Sequence, residues 1–153
     1  MNKHIENLKA TGMVHVVHKN AAGEVINEFE VPNLVVTAGK NHIAAKIAAT
    51  TNSPVSMTHM AIGTSATSAL AADTQLGTEG GRVVLSAAVV STNTITYTAT
   101  FPAGTGTSTS PGVQEAGIFN AASGGTMLCR TTFPSVAKAS GDSIAVTWVV
   151  TVS

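Results

Sequence analysis

Ser143-Ile144-Ala145-Val146-Thr147-Trp148-Val149-Val150-Thr151-Val152 reads in steps of two. Ile144, Val146, Trp148, Val150 and Val152 fall on one side of an extended chain, and Ala145, Thr147, Val149 and Thr151 on the other. Period two is the mark of a half-buried strand. The first side carries the only tryptophan and belongs in a core. The second offers hydroxyls and small apolar groups to solvent or to a neighbouring subunit.

The same period recurs upstream. In Gly12–His18, Val14 and Val16 oppose Met13, His15 and Val17. In Glu24–Val31, Val25, Asn27, Phe29 and Val31 oppose Ile26, Glu28 and Glu30. Asn20-Ala21-Ala22-Gly23 between them completes a hairpin signal, and Pro32-Asn33 is expected to end it. Further strands are expected at Met57–Ile62, Arg82–Val90, Thr94–Phe101, Val113–Phe119 and Thr126–Phe133. Turn residues separate the later ones. One helix is expected from Thr37, with Thr37 as N-cap. Ile43 and Ile47 would form its core-facing stripe beside Ala44 and Ala48. Gly63–Gly81 is too long for an ordinary loop, and a turn of helix is expected at Ala69–Asp73. Many short strands with Gly, Pro and Ser punctuation predict a mainly β chain: an antiparallel β-sandwich, jelly-roll-like, with one short helix. The expected organisation is an N-terminal arm at 1–10 and one domain at 11–153.

Charge is scarce. Asp, Glu, Lys and Arg make up 10% of the 153 residues, against roughly 25% in an ordinary soluble domain. Between Val83 and Cys129 the only formal charge is Glu115. Interspersed charge keeps surfaces apart, so a neutral Thr/Val/Ala surface points to a place in an assembly. Thr96 and Thr98, in the middle of this stretch, are candidate contacts. The formal net charge of zero argues against an electrostatic nucleic-acid binder. No stretch approaches the ~20 apolar residues of a membrane-spanning helix. The start, Met1–Leu8, has no apolar run and predicts no secretory signal. Cys129 is the one cysteine, which excludes an internal disulfide and fits synthesis in a reducing cytosol.

Catalytic patterns do not emerge. His15 and His18, three apart on a strand, point to opposite faces, and His42 has Lys46 rather than a ligand four residues on. Cys129 reads as a small buried hydrophobe with no activating neighbour. Asp73, Glu79, Glu115 and Asp142 are scattered, and nothing in their spacing makes an acid–base pair. Aromatics are too few, at 4%, to spare a platform for a carbohydrate. No catalytic, cofactor-binding or metal-binding residue is assigned. Glu115 instead reads as one half of a structural ion pair, with Arg82 or Arg130 across strands.

Several blocks in order carry a resemblance: Asn33–Ala45, Met60–Thr64, Ala72–Glu79 with Arg82 just after, Val113–Asn120, Gly125–Phe133 and Gly141–Trp148. Together they resemble a group of tailed-bacteriophage virion structural proteins, among them head decoration (cement) proteins and tail or fibre-associated proteins. The resemblance implies a non-enzymatic virion component made in the bacterial host cytoplasm. Its first form is a homo-oligomeric decoration protein that binds and stabilises the major capsid protein lattice. The alternative is a tail or tail-fibre component binding tail proteins. It also implies that Asp73–Arg82 reaches towards a neighbour, making Asp73 and Glu79 candidate assembly contacts. The segments Ala103–Gly112 and Pro134–Asp142 are further candidate subunit contacts.

Overall fold

A computed structural model describes residues 7–48 and 52–153. The chain is mainly β with one short helix. Its strands are β1 (Ala10–Lys19), β2 (Val25–Val35), β3 (His59–Gly63), β4 (Glu79–Val84), β5 (Ala87–Ser91), β6 (Thr94–Phe101), β7 (Ser108–Phe119), β8 (Met127–Lys138) and β9 (Ser143–Val152). The helix α1 spans Thr37–Ala48.

All nine strands join one antiparallel sheet in the order β4-β3-β7-β8-β2-β1-β9-β6-β5. The sheet curls because β2 serves two neighbours in turn. Gly12–Lys19 pairs with its first part, whereas only Leu34 and Val35 reach β8. The two ends of the sheet are consecutive in the chain. Leu85 donates its N–H to Thr58 O beside β3, and Ser86 donates to Thr98 O on β6. Arg82–Val90 is therefore two strands meeting at a corner rather than one. Val83–Val90 is an apolar run broken only by Ser86, and so hides the corner in the sequence.

The inside of the curl is the main core. Trp148, Phe101, Val14, Val16, Ile144 and Val146 come from one half, and Met60, Ile62, Ile118, Phe133 and Val136 from the other. The face of β9 assigned to the core is the buried one, with Trp148 fully enclosed. A second, smaller cluster of Val36, Ala61, Leu76, Phe119 and Met127 lies on the outer side of β3-β7-β8. Residues 64–78 lie over it. This stretch is an ordered cover with a turn, not a helix, at Leu70–Asp73.

Three boundaries differ from expectation. Pro32 does not end β2; it pairs with Met13, and its carbonyl accepts the Thr131 hydroxyl at 2.7 Å. The missing N–H does no harm there, since β8 meets β2 only beyond it. β7 begins at Ser108 and β8 runs on past Pro134 to Lys138, joined at Ser108–Lys138 through irregular register. The helix forms where expected but presents another face. Gly39 and His42 are buried, while Ile47 is 75% exposed. A Cβ at Gly39 would fall on the carbonyl oxygen of Leu128. Glycine thus lets α1 approach β8 one turn before Ile43, which packs against the core while Ile47 opens outward. The cap position is Val36, whose carbonyl accepts the Lys40 N–H.

The first six residues of the expected arm at 1–10 lie outside the described residues. Within the rest, Lys9 exchanges two backbone hydrogen bonds with Ser153, and Ala10 opens β1.

Candidate functional site

The outward face of β5-β6-β9-β1 is a bare surface. Register places Val89, Thr96, Val149, Met13 and Pro32 in one row across five strands. Ala87, Thr98, Thr147, His15 and Glu30 form the next. Val89 is 57% and Met13 46% exposed, and Thr96 and Thr98 are half-buried among them. Formal charge enters these two rows only at the β2 margin. There His15 Nε2 and Glu28 Oε1 are 2.9 Å apart. Thr96 and Thr98, candidate contacts from sequence, thus lie within a neutral stretch of the outer face.

Asp73 and Glu79 are placed differently. Both carboxylates are bound within the chain. Asp73 Oδ2 accepts Arg130 Nη1 at 2.8 Å and the Leu70 N–H at 2.8 Å. Glu79 takes the Arg82 guanidinium on both oxygens, at 2.9 and 2.6 Å.

Arg82, Ala61, Gly117 and Arg130 form one row across β4, β3, β7 and β8. β3 stands between Arg82 and β7, so of the two arginines only Arg130 reaches Glu115. Arg130 Nε and Nη2 both donate to Glu115 Oε2, at 3.0 and 2.8 Å. Gly77 N–H shares that oxygen, while Ser65 and Thr78 N–H donate to Oε1. Arg130 also donates to the carbonyls of Thr67 and Ser68. Both side chains are sealed from solvent, and every hydrogen bond around them ties residues 64–78 to the sheet. At the other end of the row, Arg82 lies 3.8 Å above the Phe119 ring and donates to the carbonyls of Ala121 and Gly124. Gly117 leaves room between the two arginines, where Leu76 and Phe119 pack against it.

A second buried polar group is at the far end of β1. His18, on the face opposite His15, has its Nε2 2.8 Å from Asp142 Oδ2. Asp142 Oδ2 also accepts the Ala139 N–H at 2.9 Å. The His18 and Ala139 hydrogen bonds hold the Asp142 carboxyl below its ordinary value of 3.8. Lys138 is fully buried and donates to Pro102 O and Asp142 O. Burial lowers its ammonium from the ordinary 10.5, against the pull of Asp142. Sequence gave no sign of this group, because His18 and Asp142 are 124 residues apart.

Cys129 is fully buried in β8, and burial pushes its thiol well up. Tyr97 is likewise pushed up to about 12 by burial. Among the described residues, no three His, Cys, Asp or Glu side chains gather as a metal site. No helix of the described residues is long and apolar enough to cross a membrane. No protein-family model, curated protein or solved structure matches the chain.

Proposed function

We propose that this chain is a non-enzymatic structural protein of a tailed-phage virion, a decoration protein that binds the major capsid lattice and its own copies. The observation that carries the reading is the bare, neutral outer face of β5-β6-β9-β1, centred on Thr96 and Val149. Such a face buries hydroxyls and methyl groups against a partner without the desolvation cost of ions. It is backed by Trp148 and the core, so docking costs little ordering. A stable interface needs about 800 Å² per partner. A lattice supplies that from several neighbours, and binding to the assembled state stabilises it by mass action.

The carboxylates that a hydrolase reading would need are already engaged. Asp73 and Glu115 are on Arg130, Glu79 on Arg82 and Asp142 on His18. This favours the structural reading over general acid–base chemistry. The finer fold reading is a flattened, jelly-roll-like sandwich. It is supported by the rolled hairpin: β9 lies antiparallel on β1, and β8 on β2.

The test is copy number in purified virions, by quantitative mass spectrometry against the major capsid protein. Near-stoichiometric abundance, with imaging that places the protein on the head, is the expected result. A few copies per particle would assign it to the tail. Absence from virions would overturn the reading.

A further inference from the structure

The charges left over after the internal pairs are sorted along the molecule. Arg82 and Arg130 are paired, and Lys138 is buried. Of the remaining described cations, Lys9, Lys40 and Lys46 are at the α1 end of β1, and Lys19 is at the hairpin end. Of the described carboxylates, Glu24, Glu28 and Glu30 alone have no Arg82, Arg130 or His18 partner; Glu28 has His15 at 2.9 Å and Glu24 accepts from Asn20, and all three are on the β1–β2 hairpin. β1 is ten residues long, so about 30 Å of strand separates Lys9 from the hairpin turn, with Glu28 opposite Val17 and Glu30 opposite His15 at mid-strand.

The basic end is also an apolar groove. A cavity of 440 Å³ runs between α1 and the start of β1 over Ile43, Ile47 and Val152, walled by Lys9 and Lys40. A second, of 270 Å³, shares those three apolar residues and is walled by Lys46 and His42. No carboxylate among the described residues lines either. The helix stripe that sequence assigns to the core, Ile43 with Ile47, therefore opens on this groove. Beside it, β1 at Ala10 and Thr11 has β9 on one side and no strand on the other, because β2 joins only at Gly12.

The acidic end is the complement. Val25 and Ile26 are 52% and 53% exposed beside Glu24, Glu28 and Glu30. Through this part β2 has β1 on one side and no strand on the other, since β8 meets only Leu34 and Val35. Each end thus offers an open strand edge and apolar side chains, with three lysines at one end and three carboxylates against the single Lys19 on the hairpin.

We infer that copies of this chain associate head to tail. The acidic β1–β2 hairpin of one copy docks in the lysine-walled groove of the next. Val25 and Ile26 lie on Ile43 and Ile47, and Glu24, Glu28 and Glu30 face Lys9, Lys40 and Lys46. The contact is heterologous, so it generates rings or open rows rather than a two-fold dimer. The inference rests on the self-association in the reading above, but not on the virion.

Two charge reversals of the full chain test it: Lys40→Glu with Lys46→Glu, and Glu28→Lys with Glu30→Lys. Sedimentation is run over a concentration series at low salt and at about 1 M, where charges are screened within roughly 3 Å. Circular dichroism checks that each variant is folded. The wild type is expected to gain mass with concentration at low salt and to lose that gain at high salt. Each reversal alone should stay monomeric. An equal mixture of the two should regain the assembly, since each groove then meets a hairpin of opposite sign. Association unchanged in both variants, or a mixture that stays monomeric, would overturn the head-to-tail contact and leave self-association to another surface. A wild type that is monomeric throughout would overturn the inference, with the virion reading still decided by copy number.

Discussion

Arg130 and Glu115 meet where neither side chain touches solvent, and the guanidinium places two N–H groups on a single carboxylate oxygen. The other oxygen is thereby left to the backbone of residues 65 and 78. One ion pair across the β7–β8 hairpin thus organises a cover of some fifteen residues that has no regular structure of its own.

Removing Arg130 strands the buried Glu115 charge, and removing Glu115 takes from Arg130 its fully buried counter-ion, leaving only Asp73. Glu115→Gln or Arg130→Met is expected to cost about 3–5 kcal/mol in denaturant unfolding. The double variant Glu115→Gln, Arg130→Met should cost clearly less than the sum of the singles. Hydrogen exchange should quicken at Ser65, Gly77 and Thr78 first. Additive losses, with those amides still protected, would remove the pair from its organising role.

Acid should loosen the far end of β1. The Asp142 carboxyl is held below 3.8 in the folded chain by His18 and the Ala139 N–H. Its contribution is therefore fully present above that value and is lost as pH falls through the lower folded one. The stability difference between wild type and Asp142→Asn should be flat above about pH 5 and shrink below pH 4. A difference independent of pH down to pH 2 would contradict the shift.

Gly39→Ala should destabilise, although alanine is the better helix former by about 1 kcal/mol. The methyl group would meet the Leu128 carbonyl, and such overpacking costs about 1–3 kcal/mol. Thermal unfolding decides the sign.

Thr96→Lys and Thr98→Lys should leave monomer stability within about 0.5 kcal/mol, as surface changes usually do. They should weaken binding to capsids by placing an unpaired cation on the neutral face. Unchanged particle binding by both variants would sink the claim for that face.

The Cys129 thiol should resist an aromatic disulfide reagent in the folded chain and react at the rate of unfolding, since burial both shields it and raises its pKa. Prompt labelling of native protein would show β8 to be open.

Alternation made β1, β6 and β9 readable, because each is buried on one face of the curl. The Glu115–Arg130 pair was readable for a different reason. Two isolated charges flank one turn in an almost uncharged stretch, so few partners compete. The place of Asp73 was not readable: its partner Arg130 lies 57 residues away, and only the folded cover brings them together. The face of α1 was only half readable: Gly39, His42 and Ile43 turn inward, and two isoleucines four apart do not say that Ile47 is left outside. His18 and Asp142 meet only once β1 and β9 are in register.

β9 lies between β1, the first strand, and β6. Ser143–Val152 must therefore thread between two strands that both precede it in the chain. Half the sheet has no continuity until they arrive. Such non-local pairing makes folding slow, on the millisecond-to-second scale typical of β topologies. It also leaves the flanks of β1 and β6 open to other chains while synthesis continues. In a cell making many copies at once, the yield of folded protein is then set by how quickly Ser143–Val152 finds its gap. A chain truncated before Ser143 should accumulate as aggregate rather than as a smaller folded domain.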